Sequence, residues 1–207
     1  LDVDPTKELE SPKIPKTLPK YLTLEESMRL LEAVDGEFKV RDYAIITLFL
    51  NCGLRLSELV GINLSSIKDD RLYIKGKGNK ERTIYLNEAC QNAINEYIKE
   101  RPHEGVKDKD ALFLSKRKSR ITTKMVQVIV KKALARANLD TTKYSTHKLR
   151  HTAATLMYQY GDVDVRTLQK ILGHEQLTTT QIYTHVSDTQ IKDATSKNPL
   201  ANFKKKD

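Results

Sequence analysis

The chain has 207 residues, enough to bury a real core in one domain with room for a small appendage. Its 36 Lys and Arg outnumber 27 Asp and Glu, a formal net charge of +9 that favours a polyanion or an anionic surface as partner without choosing among DNA, RNA and lipid. No apolar stretch is long enough to cross a bilayer and no signal peptide opens the sequence, so a membrane-spanning role is not expected. Cys52 and Cys90 are far apart and follow no metal spacing; Cys52 follows the apolar run Ile45 to Leu50 and reads as a buried free thiol, which fits a reducing cytoplasm.

Residues 1–20 hold Pro5, Pro12, Pro15 and Pro19 among charges and read as an extended linker. Thr23 and Glu26 form a capping box that starts a helix running to about Val34. A strongly apolar helix is predicted over Val40–Asn51, ended by Gly53, and a short helix should follow from Ser57. The segment RLYIKGKGNKERTIYL alternates in type around a glycine-containing turn, so Leu72 and Ile74 should oppose Ile84 and Leu86 on the core face of a hairpin. A strand near Ile67 would complete a three-stranded antiparallel sheet. Helices are then expected over Asn87–Glu100, Thr122–Ala137, Ser145–Tyr160, Val165–Leu172 and about Thr178–His185. The tail from Ser187 to Asp207 carries apolar points at Ile191, Ala194, Leu200 and Phe203. The fold class is therefore mainly helical with one small sheet.

The helix beginning at Ser145 is the most informative element. At about 100° per residue, His147, Arg150, His151 and Ala154 share one face, while Leu149, Ala153, Leu156 and Tyr160 form a core stripe on the other. His147 and Arg150 are thus expected to point away from the core, near a helix N-terminus whose free N–H groups favour an anion, with Ser145 as N-cap. Taken alone, HxxR fits a solvated face better. His147 and His151 are spaced i, i+4, but without the carboxylate of HExxH they make a poor zinc motif. In GLRLSEL, Arg55 also sits at a helix start, with Glu58 near enough in sequence to orient it. The hairpin turn supplies KGKGNK, in which a lysine can swing against a phosphate; it is not a Walker loop. In LGHEQLTTTQIYTH, Tyr183 lies between His174 and His185, after three threonines, company that a core tyrosine does not need.

Together, GLRLSEL, IKGKGNKER, STHKLRHTAATLM and LGHEQLTTTQIYTHV resemble, in order and spacing, the tyrosine site-specific recombinases, most closely those of Xer type, over about Leu18 to Val186. The resemblance implies a catalytic set of Arg55, Lys77, His147, Arg150, His174 and Tyr183, with Tyr183 as nucleophile. It implies no metal and no cofactor. It implies cleavage and rejoining of DNA strands through a covalent 3′-phosphotyrosine, on a double-stranded recombination site, by a tetramer on two duplexes whose C-terminal tails exchange in trans; a tail folded back onto its own core is the alternative for that segment. It divides the chain into a linker at 1–20 from an N-terminal core-binding domain, a catalytic domain at 21–186 and a tail at 187–207. In the SKRKSR loop and the helix after it, Lys116, Arg117, Lys118, Arg120, Lys124 and Gln127 are candidates to reach phosphates and a major groove, or a basic surface loop and nothing more. Chromosome or plasmid dimer resolution is the expected role; a mobile-element integrase or a DNA-binding module without catalysis are the alternatives. An RNA-binding protein is disfavoured, because no stacking-aromatic motif is present.

Overall fold

The computed structural model describes residues 21–75, 81–161, 163–172, 192–193 and 195–203. Among them are seven α-helices and one three-stranded sheet. Helix α1 (Leu24–Glu32) starts at the expected capping box: Glu26 N–H donates to Thr23 Oγ1 at 3.1 Å, and Thr23 N–H donates to Glu26 Oε2 at 2.8 Å. The helix stops two residues before the predicted Val34. Just ahead of it, Leu22 N–H donates to Thr152 Oγ1 at 3.0 Å, which ties the entry of the domain to a helix 130 residues away.

Helix α2 (Lys39–Cys52) is the centre of the core. Every residue from Ala44 to Cys52 is buried, so this helix has no polar face to give to water. It packs against α1, against α4 (Glu88–Glu100), against α5 (Thr123–Arg136) and against α6 (Thr146–Tyr160). Phe49 is fully enclosed. Gly53 ends the helix in the left-handed region at φ 58°. A Cβ there would meet Leu172 Cδ2 at 2.8 Å. Gly53→Ala combines this clash with a strained backbone and should cost about 1–3 kcal/mol of unfolding free energy, read from urea denaturation.

The short helix α3 (Leu56–Val60) begins one residue before the expected Ser57. The sheet has the order β1 (Ile67–Lys68), β2 (Arg71–Lys75), β3 (Glu81–Tyr85), antiparallel throughout. Its register refines the predicted hairpin. Leu72 pairs with Ile84, but Ile74 pairs with Arg82, and Leu86 lies beyond β3, where its N–H donates to Asp70 O at 2.7 Å. Leu72, Ile74, Ile84 and Leu86 are all buried, as the alternation requires. The predicted strand near Ile67 is β1.

The remaining described helices lie within a residue of their predicted bounds, and α7 (Val165–Leu172) matches them. Asn87 caps α4 by accepting from Cys90 N–H. Ser145 holds the N-cap position of α6, yet its side chain makes no capping bond. Cys52 and Cys90 are free, buried thiols. The expected helix over Thr178–His185 lies outside the described residues, as do Ile191 and Ala194 of the tail. Tail residues 195–203 dock on the chain's own α2 and α4: Ala89 N–H donates to Ala201 O at 2.8 Å, Asn198 Nδ2 donates to Leu50 O at 3.1 Å, and Leu200 is 1% exposed within the main core. Phe203 packs against that core as well. Among the described residues, no helix is long and apolar enough to cross a membrane.

Candidate active site

Four side chains meet where α3, β3, α6 and α7 come together. Arg55 stands at the N-cap of α3, and Glu58 follows one turn later. Glu58 Oε2 accepts from the Arg55 backbone N–H at 2.7 Å, and Oε1 accepts from the Arg55 guanidinium at 2.9 Å. The carboxylate therefore satisfies the Arg55 backbone N–H at the start of α3 and at the same time holds the arginine side chain there. The Arg55 side chain stays 43% exposed, while that of Glu58 is only 3% exposed. A buried carboxylate with that little water needs further cations. Arg82 supplies one, donating to Glu58 Oε2 at 2.8 Å, and Arg150 Nη1 approaches the same oxygen at 3.9 Å.

Arg150 sits on α6 and is buried, which corrects the expectation that it points away from the core. The helical count places it on the face of His147 correctly; the neighbouring elements then close over that part of the face. Its guanidinium donates to Gly53 O at 2.6 Å and to Leu172 O at 2.5 Å, bridging the C-terminal end of α2 to that of α7. Both acceptors are carbonyls that a helix end leaves without an intrahelical partner, at the negative end of the helix dipole. Burial and then the charge of Arg55 push the Arg150 pKa down to about 10, with Glu58 opposing them. Two arginines close enough to feel each other's charge, one half open to solvent, form a concentrated positive site with Glu58 as an internal counter-ion.

His147 lies one turn before Arg150 and is exposed; its ring stands edge-on to that of His151 at 5.1 Å. Burial, with His147, Lys148 and Arg150 nearby, holds His151 below the usual histidine range. Among the described residues, no group of three or more His, Cys, Asp or Glu is placed to hold a metal ion. Lys77, His174 and Tyr183 lie outside the described residues. The structure thus brings together Arg55, Arg150 and, on the exposed side of α6, His147.

Arg82 is the site residue that motif reading missed. A signal for it existed: Leu72, Ile74, Ile84 and Leu86 mark the inward face, and residue 82 has the same parity, so a cation stood at a core-facing position with no partner named.

Burial raises the Glu58 carboxyl, but the charge of Arg82 and the hydrogen bonds from Arg55 and Arg82 outweigh it, so the pKa lies below the ordinary 4.5. A carboxylate whose folded pKa is depressed contributes stability above its unfolded pKa and loses it as the pH falls through the folded one. The wild type should therefore lose stability from about pH 4.5 downward faster than Glu58→Gln, a difference that thermal melts between pH 6 and pH 3 would measure.

The six candidate DNA contacts divide into two groups. Arg117, Lys124 and Gln127 are exposed, the last two on α5, which packs against α3. Lys116 pairs with Glu37 at 3.1 Å on the surface, and Lys118, at φ 56°, donates to Glu104 O at 3.0 Å. Arg120 is half-buried. It donates to Asp108 at 2.8 Å, to the carbonyls of Val60 and Ile62, both at 3.1 Å, and to Asn63 Oδ1 at 2.6 Å, which makes it part of the loop's frame.

The profile of the phage integrase family matches residues 20–190, across all four elements that meet at the site. The chain belongs to the phage integrase family. It is 68% identical over 198 residues to the tyrosine recombinase XerC of Caldanaerobacter subterraneus subsp. tengcongensis, covering 96% of this chain and 56% of that relative. It is 39% identical to the tyrosine recombinase XerD of Proteus mirabilis, over 91% of this chain and 62% of the relative. The chain thus spans roughly three fifths of the length of these curated family members. Among solved structures, the XerA recombinase superposes with a TM-score of 0.70 at 32% identity, covering 86% of this chain and 64% of that one. The XerH recombinase in a post-cleavage complex with a palindromic difH substrate gives 0.69 at 29% identity, covering 87% and 53%. The fold of these family members is the mainly helical architecture with a small sheet described above.

Proposed function

We propose that this chain is the catalytic part of a Xer-type tyrosine site-specific recombinase, acting in the cytoplasm in the resolution of chromosome or plasmid dimers. Tyr183 attacks a phosphodiester of duplex DNA, forming a 3′-phosphotyrosine and releasing a 5′ hydroxyl. The attack puts negative charge on the two non-bridging oxygens, and Arg55 and Arg150 are the groups to receive it. A tyrosine of ordinary pKa near 10 is a weak nucleophile at neutral pH, so its proton must be accepted as the bond forms. His147 and His174 are assigned that task and a hydrogen bond to the phosphate. Lys77, carried on the hairpin turn, is assigned the proton for the departing 5′ oxygen. One ester replaces another, so little free energy is lost; a 5′ hydroxyl from a second strand reverses the step and religates. Four protomers on two duplexes carry out the exchange. A tail exchanged in trans would first have to withdraw Leu200 from the protomer's own core.

The observation that carries this reading is the meeting of Arg55 and Arg150 around Glu58, from positions 95 residues apart in the sequence, beside the exposed His147. The 68% identity to a tyrosine recombinase XerC favours dimer resolution over mobile-element integration. The test is a trapping assay. The protein is mixed with a randomised pool of nicked duplexes in which the cleaved fragment diffuses away. A covalent protein–DNA band is then sought on a denaturing gel and its attachment point mapped by peptide mass spectrometry. Attachment at Tyr183 supports the proposal. A mobility shift without any covalent band would mean a DNA-binding module that does not cleave.

A further inference from the structure

Arg82 reaches the buried centre of the site from the sheet. It comes from β3, five residues beyond Lys77, and its side chain is 16% exposed. One arm of its guanidinium donates to Glu58 Oε2 at 2.8 Å and another to the carbonyl of Ile171. Its Nε is buried with no hydrogen-bond partner among the described residues. The next carbonyl, that of Leu172, accepts from Arg150. Two guanidiniums therefore hold adjacent carbonyls at the C-terminal end of α7, two residues before His174. Both lie beside the carboxylate that fixes Arg55. β3, α3 and α7 have no covalent tie to one another nearby, and Arg82 links all three.

We infer that Arg82 is a positioning residue for strand cleavage: it clamps the end of α7 and the Glu58 carboxylate in one geometry, and so sets Arg55 at the start of α3 relative to β3 and the end of α7. The inference rests on the recombinase reading above. A planar fork suits two acceptors in different directions, which a lysine ammonium on a flexible stem does not fix.

The experiment compares wild type, Arg82→Met and Arg82→Lys in the full chain, with two readouts. The first is the single-turnover rate of adduct formation at saturating nicked duplex, alongside the dissociation constant for the same DNA. The second is amide hydrogen exchange without DNA. Arg82→Met should slow adduct formation by about 10²-fold, the scale for small misplacement of reacting groups, with DNA affinity nearly unchanged. Arg82→Lys keeps the charge beside Glu58 and should recover stability, but only part of the rate. Exchange should quicken in the last turn of α7 and the first turn of α3 in both variants, and stay as in wild type in α4. A rate loss that merely follows weakened DNA binding, or full recovery by lysine, would overturn the inference, as would unchanged exchange in α7. If the wild type itself formed no adduct, the cleavage reading would fall, and the exchange comparison alone would then decide whether Arg82 is the clamp.

Discussion

Tyr183→Phe is expected to bind duplex DNA as the wild type does and to form no covalent adduct with it. The substitution removes one oxygen and leaves the ring, so it deletes the proposed nucleophile with the smallest change of shape. An ester formed on another hydroxyl would map to a different peptide. The measurement is the same denaturing gel, read together with a mobility-shift titration. An adduct persisting in Tyr183→Phe would remove Tyr183 from the mechanism. Loss of both binding and adduct would make it a residue that holds the DNA interface together.

Arg150→Ala has the second largest expected effect, and it acts on two quantities at once. Removal of one pre-organised donor to a developing oxyanion typically costs about 3–4 kcal/mol of barrier, or 10²–10³ in rate. The structure adds a stability cost that the helical count does not foresee. Arg150 is buried, and its loss strands the carbonyls of Gly53 and Leu172 and removes a cation from beside Glu58. Charge-assisted hydrogen bonds contribute about 1.5–3 kcal/mol each, offset in part by no longer burying a charge. A net loss of about 2–3 kcal/mol lowers the melting temperature of a protein of this size by about 5–10 °C. Adduct assays must therefore be run well below the variant's transition. Arg150→Lys separates the two effects: it retains the positive charge but cannot fork onto two carbonyls, so it should keep more of the melting temperature than alanine does and still lose most of the rate. Unchanged melting of Arg150→Ala would contradict the buried bridge described here.

Local physics is what the sequence carries. The Thr23–Glu26 capping box, the glycine that ends α2, the alternation through β2 and β3 and the extent of α7 all depend on residues within a few positions of one another. Family membership was legible for a related reason: chemistry at one ester fixes residue types at set places, so four short boxes in order identify it without a structure. Residues 82 and 150 mark the limit. Parity and helical spacing say which face a side chain occupies, but they do not say what lies over that face.

Only tertiary structure decided that Arg150 is buried beneath the ends of α2 and α7, that Arg82 reaches Glu58, that Arg120 ties its loop to the segment Val60 to Asn63 and that Leu200 fills the chain's own core. Each depends on contacts between positions from 22 to 148 residues apart, such as Arg150 with Leu172 and Asn198 with Leu50. A one-dimensional pattern records the preference of each residue for water or for a core. The partner that satisfies a buried charge is set by how whole elements stack, and that is determined only when the helices and the sheet have closed around α2.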